Sequence, residues 1–146
     1  MAKKKVAKKL TAKQKWLRKD ATYLEQQAAA NAAFKRFKSG QGINLSQYKK
    51  THERNVDDNK RSRTQALTGV NENFAARGMA NSGAFQTSRD ETSDAYARQL
   101  AALKTGLSNF KQDQGYELSN ATAQKNDTIK RALRDATERY AQRQYL

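Results

Sequence analysis

The chain has 146 residues, a formal net charge of +15, no cysteine and no proline. The absence of cysteine excludes disulfides, thiolate catalysis and Cys-based metal sites. No apolar run approaches the roughly 20 residues of a membrane span. Only 36% of the residues are apolar, many of them alanines. Because thin apolar stripes on long helices need few bulky residues, we expect an elongated all-α protein of two to three long helices.

Residues 1–19 form a basic N-terminal arm that contains no acidic residue. The charge is concentrated in the first part of the chain, since residues 1–63 carry 18 basic and 5 acidic side chains and residues 64–146 carry 11 and 9. Such an arm favours contact with a phosphate backbone, an acidic protein surface or an anionic membrane surface, and a solubilising tail is the remaining alternative. Lysine predominates in the arm, and it lacks the bidentate guanidinium that recognises guanine, so we do not expect sequence-specific base contacts. The predicted anion-contact residues are Lys3, Lys4, Lys5, Lys8, Lys9, Lys13, Lys15, Arg18 and Lys19.

Two helices are predicted between residues 11 and 77. The first, at about 11–37, begins at Thr11, a good N-cap, and contains the helix-favouring stretch AAANAAF. Two glycines and two serines in residues 39–46 predict a loop. The second helix follows that loop at about 46–77.

The C-terminal segment, residues 84–146, is predicted to form one long helix at about 84–145. Apolar residues from Tyr96 to Phe110 follow the 4-3-4-3 spacing of a heptad, which predicts coiled-coil-like packing against the same chain or a neighbouring copy. The helix lengths permit either a hairpin or an extended arrangement. The predicted packing residues are Phe74, Tyr96, Leu100, Leu103, Leu107, Phe110 and Ile129.

Catalytic and metal-binding motifs are not found in the sequence. His52 is the only histidine, and it lies in the polar, basic segment YKKTHERN. A single titratable group in such a segment is more typical of a surface residue than of a general base. We therefore expect a binding or structural protein rather than an enzyme, without a cofactor or a metal.

A connector is predicted at residues 78–83, within the segment FAARGMANSGAF. Gly78 fits the left-handed position after a helix, and Arg77 places a positive charge at the helix C-terminus. Phe74 and Met79 are spaced to pack across the corner. The pattern F-x-x-R-G, a large apolar residue, two further positions and S-G resembles a connector in small helical virion proteins of tailed bacteriophages. The matching residues are Phe74, Arg77, Gly78, Met79, Ser82 and Gly83.

The resemblance implies a multi-copy structural protein of a tailed-phage virion, assembled in the host cytoplasm. Its place in the particle would be the neck, the portal, the tail or the inside of the head. It implies packing of the helices against other copies or other virion proteins. The basic arm is not part of the phage pattern, and from its charge we expect it near packaged DNA or an acidic neighbour. The alternatives are a free, histone-like protein that binds nucleic acid without sequence specificity, and a phage scaffolding protein.

Overall fold

The computed structural model describes residues 10–145, and this part of the chain contains helices but no strand. The helices are α1 (Ala12–Leu17), α2 (Ala21–Ala76) and α3 (Gly83–Arg143). The prediction of an all-α protein built on long helices is therefore confirmed.

Contacts divide the chain into two units. The hairpin unit is Gln41–Tyr116, and it contains the end of α2, the connector and the beginning of α3. The terminal unit combines Met1–Gly40 with Glu117–Leu146, and its described part contains α1, the beginning of α2 and the end of α3. Within each unit, α2 and α3 pack side by side, and we call their interface the seam.

The predicted first helix is interrupted near its beginning. Thr11 caps α1 in a capping box, in which its hydroxyl accepts from the Gln14 backbone N–H and its own N–H donates to the Gln14 side chain. Asp20 then caps α2, because its carboxylate accepts from the backbone N–H of Tyr23 at 2.8 Å. The prediction of one helix at 11–37 is therefore wrong, since Asp20 begins a new helix.

The loop predicted at residues 39–46 is also wrong. These residues lie inside α2, including Gly40 and Gly42. A glycine inside a helix costs about 1 kcal/mol relative to alanine. Leu45 and Tyr48, in the following turns, are half-buried in the seam, and tertiary packing of such a face supplies most of the stability of a helix in a protein. Packing against α3 therefore outweighs the local preference for a break.

The connector reverses the chain between α2 and α3 by means of a left-handed glycine and a serine helix cap. Gly78 has a φ of +69°, in the left-handed region that glycine enters without steric cost. Ser82 caps α3, because its hydroxyl accepts from the backbone N–H of Phe85 at 3.1 Å. The Phe85 ring is 9% exposed and lies 5.6 Å from the Phe74 ring. Phe74 thus packs against Phe85, whereas Met79, the predicted partner, is 42% exposed.

Polar pairs cross the seam in the middle of the hairpin unit. Asn59 donates to the side-chain oxygen of Gln99 at 3.0 Å, and the Arg63 guanidinium donates to the Ser93 hydroxyl at 2.8 Å. The very polar middle of α2 is therefore joined to α3 in part by side-chain hydrogen bonds.

Buried and half-buried residues of both long helices recur every eleven residues. These positions are Tyr23, Phe34, Leu45, Val56 and Leu67 in α2, and Phe85, Tyr96, Leu107, Leu118, Ile129 and Tyr140 in α3. Eleven residues over three turns give about 3.67 residues per turn, close to the roughly 3.6 of a straight α-helix. A strict heptad at about 3.5 per turn drifts away from the seam over such lengths. The predicted heptad therefore describes only a short part of α3.

Few apolar side chains are fully enclosed. Among residues 10–145, the buried apolar residues are Phe85, Ala132 and Ala136. Large apolar side chains remain accessible elsewhere, with Ile43 58% and Tyr116 61% exposed. The two units thus consist of a narrow seam rather than a layered core.

Candidate anion-binding site

Four of the nine predicted anion-contact residues lie in the described part of the chain. Lys13 and Lys15 are on α1, and Arg18 and Lys19 follow it in the turn to α2. All four side chains are exposed. The other five lie outside the described residues, and they are Lys3, Lys4, Lys5, Lys8 and Lys9.

Helix α1 is docked by its apolar side chains. The Trp16 ring lies 5.5 Å from the Tyr140 ring of α3, tilted by 49°. Leu17 faces a shallow depression that it shares with Tyr23 and Leu24 of α2. Trp16 and Leu17 are both half-buried. Since the apolar side chains of α1 face the terminal unit, its lysines point to solvent.

An ion pair fixes the turn between α1 and α2. The Arg139 guanidinium donates to both carboxylate oxygens of Asp20, with Nη2 at 3.1 and 3.2 Å and Nε at 3.3 Å. The Asp20 side chain is only 7% exposed, and that of Arg139 is 38% exposed. The hydrogen bond from Arg139, and then that from the Tyr23 backbone, hold the pKa of Asp20 below its ordinary 3.8 against the opposing effect of desolvation. The charge of Arg143 lowers this pKa as well.

Folding concentrates positive charge in the terminal unit. Its described residues carry 13 basic and 6 acidic side chains, a net +7, whereas the hairpin unit carries 11 and 8, a net +3. Residues 117–145 supply six of those 13 cations. The sequence reasoning missed this contribution, because residues 64–146 taken together are nearly neutral and no local pattern pairs them with the N-terminal region.

The predicted packing residues all lie in the described part of α2 and α3, and each is half-buried. Tyr96 and Leu103 line a groove of the hairpin unit described below, and the Phe110 ring stacks on Tyr48 with centroids 4.1 Å apart. Ala132 and Ala136, which the sequence places in the looser stripe along the second half of α3, are more deeply buried than any of these residues. Their i, i+4 spacing was a usable signal, because small residues at that spacing allow close approach of two helices.

The predicted connector residues lie where α2 passes into α3. Arg77 follows the last residue of α2 and is exposed, as is Gly78. Ser82 is half-buried as the cap of α3, and Gly83 is the first residue of that helix. The arrangement gives these residues a structural role in reversing the chain.

A groove of about 740 Å³ lies along the seam of the hairpin unit. His52, Tyr48 and Asn59 are among its lining residues. His52, expected at the surface, is half-buried there. Gly106 forms part of the opposite wall, and a Cβ at this position would lie 3.3 Å from the Tyr48 hydroxyl oxygen.

Within residues 10–145, no group of three or more His, Cys, Asp or Glu side chains is placed to hold a metal ion. None of the helices in the same range combines the length and the apolarity needed to cross a bilayer. No protein-family model matches the chain, and no curated protein or solved structure has significant similarity to it.

Proposed function

We propose that this chain is a helical structural component of a tailed-bacteriophage virion, present in many copies at the neck, the portal, the tail or inside the head. The connector supports this proposal. The residues that resemble the phage pattern join α2 to α3 through Gly78 and Ser82. A helix followed by a tight turn and a long helix is the arrangement that the resemblance implies.

The observation that carries the proposal is the small amount of apolar surface that the helices enclose. Three buried apolar residues among the described ones are few for helices of 56 and 61 residues. Single exposed apolar side chains are ordinary on proteins. Together with so narrow a seam, however, the exposed Ile43 and Tyr116 favour packing against further helices, because long helices gain most of their stability from burying an apolar face.

The basic terminal unit supports a second part of the proposal, which is contact with an anionic partner. Its described residues carry a net +7. In a virion the available anionic partners are packaged DNA and acidic surfaces of neighbouring proteins. The proposed division of roles is helix packing along α2 and α3 and anion contact at the terminal unit.

Incorporation into particles tests the proposal. The full chain carries a tag, and particles purified on a density gradient are probed for it. The variant Ile43→Glu/Tyr116→Glu is compared with Asn44→Glu/Asn109→Glu, which adds the same two charges at exposed polar positions of the hairpin unit. We expect at least about tenfold less incorporation of the first variant, equivalent to about 1.4 kcal/mol, and little change for the second. Recovery of the wild-type chain only as a lone protein, without a particle, contradicts the proposal.

The concentration of charge in the terminal unit also favours a free, histone-like nucleic-acid-binding protein as a second candidate. Such a protein compacts duplex DNA by itself and needs no particle. Localisation distinguishes the two functions, because a histone-like protein co-purifies with bulk DNA and is not enriched in particles.

A further inference from the structure

A set of exposed cations surrounds the docked helix α1, and we call it the tip patch. Arg143 belongs to it although it lies in the last turn of α3. It lies about one helical turn beyond Arg139, whose guanidinium is hydrogen-bonded to Asp20 in the turn between α1 and α2. The tip patch consists of Lys13, Lys15, Arg18, Lys19 and Arg143, all exposed.

The tip patch is held in place by three independent features. The capping box at Thr11 fixes the beginning of α1, the Trp16–Tyr140 contact attaches its middle to α3, and the Asp20–Arg139 ion pair fixes the turn that follows. Cations presented by a docked helix lose less conformational freedom on binding than cations on a flexible tail. The patch is therefore a preorganised surface.

The outward side of α1 presents Lys13 and Lys15 beside the uncharged Ala12 and Gln14, and it contains no acidic residue. Trp16 and Leu17, its large apolar residues, face the terminal unit, and the nearby acid Asp20 is already paired with Arg139. Protein–protein interfaces require a desolvated centre with aromatic and apolar anchors. Binding to a phosphate backbone requires only closely spaced cations, because its free energy comes largely from counterion release.

We propose that the tip patch binds the phosphate backbone of duplex DNA and that Arg143 of α3 contributes as fully as the cations next to α1. The inference rests on the proposed function, in which the basic end of the chain meets DNA or an acidic neighbour, and it names DNA as the partner. Lysines supply point charges and the two arginines supply bidentate contacts. Backbone contacts of this kind position the protein without reading sequence.

The salt dependence of DNA binding by the full chain tests the inference. A fluorescent duplex of mixed sequence is titrated by anisotropy over a series of salt concentrations. The variant Arg18→Gln/Arg143→Gln is compared with Lys49→Gln/Lys50→Gln, which removes the same charge from exposed positions of the hairpin unit. Each lost phosphate contact reduces the slope of log K against log salt by about 0.9. We expect a reduction of about 1.8 for the tip variant and almost none for the control.

Three results overturn the inference. Equal slopes for the two variants mean that net charge, and not the tip patch, determines binding. If the salt-dependence slope of the single variant Arg143→Gln equals that of the wild type, Arg143 makes no phosphate contact and the N-terminal arm alone binds the DNA. Failure of the wild-type chain to bind the duplex, with binding to polyglutamate instead, assigns the patch to an acidic protein. Circular dichroism confirms that each variant keeps its helices.

Particle incorporation separates this inference from the proposed function. A wild-type chain that enters particles but does not bind duplex DNA contradicts only the inference. A chain that binds DNA through the tip patch but never enters particles contradicts the virion assignment and leaves the DNA contact in place.

Discussion

Replacing Gly40 and Gly42 by alanine is expected to stabilise the protein. Both glycines lie inside α2, and a Cβ at either position meets no heavy atom within 4 Å among the described residues. Without a steric penalty, each substitution gains the difference in helix propensity, about 0.8–1.0 kcal/mol. The double variant should therefore gain about 1.6–2 kcal/mol, which raises the Tm by roughly 3–8 °C for a chain of this size.

Thermal denaturation followed by circular dichroism at 222 nm measures this change. The control is Gly78→Ala, the same substitution at a φ of +69°, where an alanine costs about 1–2 kcal/mol and the Tm should fall. Opposite signs at the two sites are the expected result. An unchanged or lower Tm for Gly40→Ala/Gly42→Ala refutes the continuous helix, because in a loop at 39–46 alanine offers no helix-propensity gain.

Three further substitutions test single contacts by the same thermal assay. Asp20→Asn keeps an N-cap residue but loses the carboxylate charge that Arg139 stabilises. Because the pKa of Asp20 is lowered in the folded state, its stabilising contribution is present above about pH 4 and is lost as the pH falls through 3.8 and below. The Tm difference from wild type should thus shrink in acid, and a pH-independent difference contradicts the ion pair. Phe85→Ala should cost about 3 kcal/mol, since its ring is nearly buried; a loss below about 1 kcal/mol means that the corner is not packed as described. Gly106→Ala should stabilise less than Gly40→Ala, because its Cβ would press on the Tyr48 hydroxyl at 3.3 Å, and an equal gain excludes that contact.

The sequence was informative where structure depends on local chemistry. The turn at Gly78 and Ser82 was predictable, because a left-handed residue after a helix favours glycine and a helix start favours serine. The same local rules failed at Gly40 and Gly42. There the half-buried face of α2 packs in the seam and outweighs the glycine cost.

The anion-binding site was predictable only in part. A run of lysines identified the basic arm, including Lys13 and Lys15 on α1. The contribution of Arg139 and Arg143 was not visible, since they lie at the other end of the chain. Nor did local patterns identify Asp20 as the start of α2 rather than a position within a longer helix.

The sequence by itself determined the all-helical class and the position of the connector. These depend on backbone preferences and on which residues avoid water. Only the tertiary structure decided that α2 continues through its glycines and that the chain ends together form the more basic unit. The contact between Asp20 and Arg139 joins residues 119 positions apart, and such a pairing depends on packing of whole helices, which no short stretch of sequence encodes.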